Sequence, residues 1–196
     1  MDPLKVKLNE IIDFDTTAGK KAAWHKDEIL SLEEKYQIDF PKDYISYLKE
    51  YGNDYLDPSY KCIPEETPPD FNKFEFELDS IFGLHPDVNN LIEQIKSYQG
   101  IIPEHVFPIA DLPGGDLVCM DKKTGSVYFW FHDREGNKMS KVFDSFREFI
   151  LGFTKVEDQT SNTEIVEITF ENGLDAFLRN FSPQNGLKKR RGDFDD

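Results

Sequence analysis

Residues 106–133, VFPIADLPGGDLVCMDKKTGSVYFWFHD, decide the fold of this 196-residue chain. Three apolar runs, VFPIA, DLVCM and SVYFWF, have the length of strands and are separated by short segments rich in glycine, aspartate and lysine. Because connections this short join antiparallel neighbours, the runs predict an antiparallel meander. Four aromatic residues follow one another in the third run. Neighbouring strand residues point to opposite faces, so this run, which includes Trp130, predicts a central strand buried on both faces.

Helical periodicity precedes the meander. Residues 4–12 predict a short helix, and residues 22–36 and 41–51 predict a helical hairpin. Pro41 is expected at the first position of the second helix, and Gly52 is expected to end it in the left-handed conformation. The proline-containing stretch that follows predicts a long loop, and FEFEL, with its strict alternation, predicts a half-buried strand.

Further helices are predicted on either side of the strands. Residues 86–100 predict one helix, and residues 144–153 predict another, in which Ser145 and Glu148 form a capping box. This order predicts an α+β fold. In it, a central, mostly antiparallel sheet packs against an N-terminal helical hairpin, with further helices after the sheet.

The chain divides into four predicted parts. Residues 1–23 form an N-terminal extension and residues 24–153 the main domain. Residues 154–185 carry a linker, a strand and a helix appended to the same domain, and residues 186–196 form a mobile tail without core residues.

Composition narrows the classes of function. The formal net charge is −15, which disfavours binding to nucleic acid or to anionic membranes. No apolar run reaches the roughly 20 residues that span a bilayer, and the N-terminus has no signal-peptide pattern. The only cysteines, Cys62 and Cys119, are too few for a disulfide framework or a zinc site. The sequence predicts a cytoplasmic protein.

The Gly114-Gly115-Asp116 motif has two interpretations. A phosphate-binding glycine loop precedes a helix, whereas a strand follows here, so the glycines favour a tight turn. A catalytic Asp116 needs convergent partners. Asp121 lies an odd number of positions further along the chain, which directs the two side chains of an extended strand to opposite faces. The preferred role of Asp116 is structural, as an acceptor of backbone N–H groups in the turn.

No other pattern assembles a catalytic or metal site. The dipeptide Pro86-Asp87 and the later Asp121-Lys122-Lys123 superficially resemble a nuclease motif, but the second set reads as an exposed hairpin turn. The four histidines lack ligand spacing, and Cys119 lies inside an apolar strand, which is typical of an inert thiol. We therefore expect no enzyme activity, no cofactor and no bound metal.

The most acidic segment, residues 53–79, is the candidate partner-binding surface, because long loops often carry function. Alternation in FEFEL places Glu75 and Glu77 opposite its apolar residues. The alternative is an ordinary solvated strand face. The segment contains two lysines and eight acids, namely Asp54, Asp57, Glu65, Glu66, Asp70, Glu75, Glu77 and Asp79.

These motifs together resemble the SUKH superfamily over residues 24–153. The family's glutamate-rich helix and Leu-Pro-x-Asp-Tyr motif correspond to LEEKYQIDFPKDYISYLKEYGND, where Phe40 replaces the usual leucine and Gly52-Asn53 reverses the usual pair. Its proline-led strand, Gly-Asp before a strand, aromatic strand and Ser-Phe-x-x-Phe-Ile helix correspond to FPIADLPGGDLVCMD, VYFWF and DSFREFILGF.

The resemblance implies an α+β binding domain. The family contains bacterial immunity proteins that neutralise toxins, commonly nucleases or deaminases, and fungal regulators of cell-wall glucan synthesis. The expected partner is a cognate, basic toxin domain, because an acidic inhibitor complements it. The alternative is a regulatory scaffold of a cell-wall or signalling pathway. The chain is expected to be a monomer or a weak homodimer.

Overall fold

The computed structural model describes residues 2–14, 26–52, 55–84 and 89–156. The elements of this part, in chain order, are α1 (Pro3–Ile11), α2 (Lys26–Tyr36), α3 (Lys42–Glu50), β1 (Tyr60–Cys62), α4 (Leu91–Ser97), β2 (Val106–Asp111), a 3-10 turn (Pro113–Gly115), β3 (Leu117–Asp121), β4 (Val127–Trp130), β5 (Met139–Phe143), α5 (Phe146–Leu151) and β6 (Phe153–Lys155). The predicted α+β class is confirmed. The strand and helix predicted after residue 164, and the tail, lie outside the described residues.

The central sheet is a four-stranded antiparallel meander in the order β2-β3-β4-β5. Leu117 pairs with Trp130 and Val118 with Phe129, so β3 and β4 are the inner strands. The three strands predicted from the sequence are confirmed. The fourth, β5, was not predicted, because polar Ser140 and Lys141 interrupt its short apolar pattern.

The two faces of this sheet are both packed. Phe129 and Val118 belong to the main core, which includes the inner side chains of α1, α3 and α5. Trp130 lies on the other face, in a smaller cluster with Leu117, and its ring meets Tyr98 edge to face at a centroid distance of 6.5 Å. Burial on both faces, predicted from the aromatic run, is confirmed.

The helical hairpin has defined ends. Helix α2 ends at Tyr36, and Gln37, which follows it, has φ of +55°. The Ile38 N–H donates to the Glu33 carbonyl at 3.0 Å, which is the Schellman arrangement. Pro41 is the N-cap of α3 rather than its first helical residue, a shift of one position from the prediction. Gly52 lies just beyond α3 with φ of +89°.

Two tyrosines of α3 anchor the hairpin to the sheet side of the core. Both side chains are fully buried, and their hydroxyls donate to backbone carbonyls: Tyr44 to Phe82 at 3.2 Å and Tyr47 to Ile81 at 2.9 Å. The Tyr44 ring also meets Phe146 of α5 at a centroid distance of 4.9 Å. These contacts hold the extended chain before α4 against the core.

Helix α1 lies in the same main core as α5. Leu4, Leu8 and Ile11 are buried, and Arg147 of α5 pairs with Asp2 at 2.7 Å, as it does with a carboxylate of α3. The division of the chain at residue 23 stays a prediction.

Two short strands lie where the sequence predicted a long loop and a linker. Strands β1 and β6 form a separate antiparallel pair, with Cys62 opposite Phe153. Three-residue strands are too short for sequence periodicity to reveal. FEFEL alternates in burial as predicted, but it is bridged to β1 through Phe76 rather than forming a strand of its own.

Helix α4 begins later than predicted. Its N-cap is Asn90, whose side chain accepts from the Ile92 N–H at 3.0 Å. Residues 85–88, including Pro86, lie outside the described residues. Within the described ranges, no helix has the length and hydrophobicity to cross a membrane.

Candidate partner-binding surface

An aromatic cluster supports the acidic segment on its inner side. Phe74 and Phe76 meet Phe129 of β4 edge to face, at centroid distances of 4.9 and 5.5 Å. Phe71 stacks on Phe131 at 5.8 Å and remains 40% exposed. Because these rings face the sheet, the alternating acids face outward.

The outward acids of this strand-like stretch are partly neutralised by lysines. Lys61 lies 3.4 Å from Glu75 and 3.1 Å from Glu77, and Lys73 lies 2.9 Å from Glu75. The hydrogen bond from Lys73, followed by its charge, lowers the pKa of Glu75. Sequence alternation correctly placed the two glutamates outward, but it did not reveal that lysines pair with them.

A stronger concentration of negative charge lies around Glu65. One carboxylate oxygen from each of Glu65, Asp144 and Glu148 lies within 4.8 Å of the others. Glu65 is exposed, but desolvation first, and then the charges of Glu148 and Asp144, raise its pKa. Lys141 pairs with Asp144 and lies 3.7 Å from Glu66. Of the four carboxylates here, Lys141 forms ion pairs with Asp144 and Glu66. We call Glu65, Glu66, Asp144 and Glu148 the Glu65 patch.

Sequence reasoning did not predict half of this patch. Asp144 and Glu148 were read only as part of the start of a helix, and Ser145 does cap that helix by accepting the Glu148 N–H at 3.2 Å. The long-range fold brings them beside the acidic segment. Three carboxylates at this spacing could ligate a divalent cation; the metal-free character expected from the sequence stays a prediction.

Other acids of the segment have local structural contacts. Asp57 accepts the Ser59 N–H at 2.8 Å, and this bond lowers the pKa of Asp57. Asp70 pairs at 3.0 Å with Arg134, whose guanidinium lies 3.8 Å from the centroid of the Phe131 ring. The backbone carbonyl of Asp79 accepts the Leu56 N–H at 2.8 Å. Asp54 lies outside the described residues.

The Gly114-Gly115-Asp116 motif forms the connection between β2 and β3. Both glycines have positive φ, 86° and 87°, and a strand follows them, unlike in a phosphate-binding loop. Asp116 accepts the His132 N–H at 2.8 Å. The donor lies two residues beyond the end of β4, whereas the sequence predicted a donor within the turn.

The turn between β3 and β4 packs on Pro41. A Cβ atom at Gly125 would lie 2.6 Å from Cγ of Pro41, so this glycine, with φ of +74°, is also required for close approach. The N-terminus of α3 is thereby fixed against the sheet.

Residues 24–152 match the sequence profile of the SMI1 / KNR4 family (SUKH-1). The chain belongs to this family. The SUKH resemblance indicated by the motifs is therefore confirmed. A curated relative is the SPbeta prophage-derived uncharacterized protein YokK of Bacillus subtilis (strain 168), which is 29% identical over 189 residues, or 87% of this chain and 96% of the relative.

The SUKH-1 match includes the helical hairpin, the four-stranded sheet and the acidic segment. Its two cysteines, Cys62 and Cys119, are buried, and burial raises the pKa of both thiols. Neutral, inaccessible thiols are poor nucleophiles. Cys62 and Cys119 are therefore poorly suited to act as nucleophiles.

Proposed function

We propose that this protein is a non-enzymatic immunity protein that binds and neutralises a cognate toxin domain in the cytoplasm. Membership in the SUKH-1 family, which contains bacterial immunity proteins, is the observation that carries the proposal. The prophage origin given in the name of the Bacillus subtilis relative is consistent with it.

The acidic segment, together with the Glu65 patch, is the proposed contact surface. Toxins that act on nucleic acid tend to carry basic surfaces, and complementary charge speeds association and disfavours wrong partners. Desolvation first, and then the like charges of Glu148 and Asp144, raise the pKa of Glu65. Keeping such a residue at a cost in stability is typical of a functional surface.

Aromatic contacts add a means of slowing dissociation. Phe71 is exposed and rests on Phe131, while Asp70 and Glu66 lie in the same loop. Rigid aromatic side chains surrounded by polar residues are common anchors of tight interfaces.

Co-expression with a candidate toxin domain, chosen from the products of the genes that neighbour its own, tests the proposal. We expect restored growth, a co-purifying complex, and toxin activity that falls to baseline at equimolar protein. A toxin from an unrelated system, expressed in the same way, serves as the control and should remain active. If folded protein gives neither a complex nor protection against the neighbouring toxin, the proposal is wrong.

A further inference from the structure

A cavity of about 610 Å³ lies between the C-terminal ends of α2 and α4 and the beginning of β2. Ile95, Ile102 and Phe107 contribute to its apolar wall. Its volume falls in the range of small-molecule sites, ~300–1,000 Å³. None of the acids proposed to contact a toxin lines it.

The charge of the cavity lining is opposite to that of the whole molecule. Lys35 and Lys122 line it, with Glu104 as the acid, whereas the chain as a whole has a net charge of −15. Within the described residues, no ion pair joins either lysine to a carboxylate, although Lys61, Lys96, Lys123 and Lys141 are all paired. The cavity therefore presents unpaired ammonium groups next to an apolar wall.

Tyr36, which also lines the cavity, has an unsatisfied polar atom. Its hydroxyl oxygen is buried and has no hydrogen-bond partner in the described part of the chain, whereas the buried hydroxyls of Tyr44 and Tyr47 donate to carbonyls. The Lys35 ammonium lies 5.1 Å from the centroid of the Tyr36 ring. Buried polar groups are normally paired, so an unpaired hydroxyl on a ring that contacts a cation favours a missing acceptor.

We propose that this cavity binds a small organic anion with a flat, apolar body, such as an aromatic carboxylate. The carboxylate pairs with the lysine ammonium groups and accepts a hydrogen bond from the Tyr36 hydroxyl, and the rings pack on Ile95 and Ile102. The proposal does not depend on toxin binding, because the two surfaces share no residue.

Isothermal titration calorimetry of the purified full chain with 2-naphthoate tests this site. We expect saturable one-to-one binding. The variants Lys35→Ala, Lys122→Ala and Tyr36→Phe should each weaken it by about two- to tenfold, the range of single charged or hydrogen-bonded contacts. Lys123→Ala is the matched control and should bind normally, because Lys123 pairs with Asp39 at 3.2 Å and does not line the cavity.

The cationic isostere 2-naphthylmethylamine separates anion recognition from simple apolar binding. It should bind at least about tenfold more weakly than 2-naphthoate, since it lacks the acceptor and repels the lysines. Absence of saturable 2-naphthoate binding, equal affinity for the amine, or full affinity in both lysine variants would each overturn the proposal. Lys35 is exposed, so Lys35→Ala should fold normally. Its affinity for 2-naphthoate therefore tests the site even if Tyr36→Phe lowers stability.

Discussion

Asp116 stabilises the fold through one hydrogen bond to the segment that follows β4. Its Oδ1 atom accepts the His132 N–H at 2.8 Å, across 16 positions of the chain. Asp116→Ala should lower the free energy of unfolding by about 1–2 kcal/mol, because the amide loses its acceptor. Glu135→Ala, at an exposed acid in the segment that follows β4, is the control and should change it by less than about 0.5 kcal/mol. Urea unfolding measures both, and equal stability of the Asp116 variant and the wild type would contradict this role.

Glu65 is expected to lower stability when ionised. Because its pKa in the folded protein is raised above the ordinary value of 4.5, the unfolded chain releases this proton more readily than the folded chain. Stability is therefore lost as pH rises from that ordinary value through the raised one. The loss is complete above both values and absent below both.

Glu65→Gln should accordingly raise the free energy of unfolding at about pH 7, and the gain should vanish near pH 3, where both states hold the proton. Glu75→Gln is the contrasting control: Lys73 lowers the pKa of Glu75, so its replacement should not stabilise the protein. Urea unfolding at the two pH values decides the matter. A Glu65 variant less stable than wild type near neutral pH would show that the carboxylate is favourably paired.

For single residues, the sequence predicted what kind of contact a side chain makes better than it predicted which residue is the partner. An aspartate directly after two glycines indicated an acceptor of backbone N–H groups, and Asp116 does accept one. The donor, His132, could not be predicted, because strand register decides which amide lies opposite. The lysines that pair with Glu75 were likewise present in the sequence, but their distances were not.

At the scale of elements, the end of α2 is held in a conformation that its residue does not favour. Gln37 has φ of +55°, and it is the non-glycine residue of the described chain with positive φ. Gln37→Gly should raise the free energy of unfolding by about 0.5–1 kcal/mol, because glycine adopts this conformation without a Cβ clash.

Gln99→Gly is the matched control for this change. Gln99 is also an exposed glutamine just after a helix, α4, but its φ is not positive, so glycine there should leave stability unchanged or lower it. Thermal unfolding of the two variants gives the comparison. A Gln37 variant that melts below wild type would mean that the glutamine side chain stabilises the helix end.

Elements with a strong local sequence signal were predicted, and elements without one were not. The helix at Ser145 and the strand at Trp130 carry strong caps or aromatic runs that specify them locally. Strands β1 and β6 have three residues each and exist because the chain brings Cys62 beside Phe153. Such tertiary pairing overrides local propensity, so it cannot be predicted from the local sequence pattern.

At the scale of the whole molecule, charge is distributed unevenly over an otherwise ordinary α+β domain. Composition predicted an acidic protein and placed its excess in residues 53–79. The fold changes the balance within that surface: Lys61 and Lys73 offset Glu75 and Glu77, whereas Asp144 and Glu148 join Glu65. We therefore expect the Glu65 patch to steer a basic partner more strongly than the strand glutamates do.

The association rate with the purified cognate toxin, measured by stopped flow at low and high salt, tests the central claim most directly. The compared proteins are the wild type, Glu65→Lys/Glu66→Lys, Glu75→Lys/Glu77→Lys, and the control Glu34→Lys/Glu93→Lys, which makes the same change of net charge on exposed helix positions.

Wild-type association should slow as salt rises, because screening weakens the steering field. At low salt, reversal at Glu65 and Glu66 should slow association by at least about tenfold, reversal at Glu75 and Glu77 by less, and the control pair least of all. Equal rates and equal salt dependence in all four proteins would contradict binding through the acidic surface.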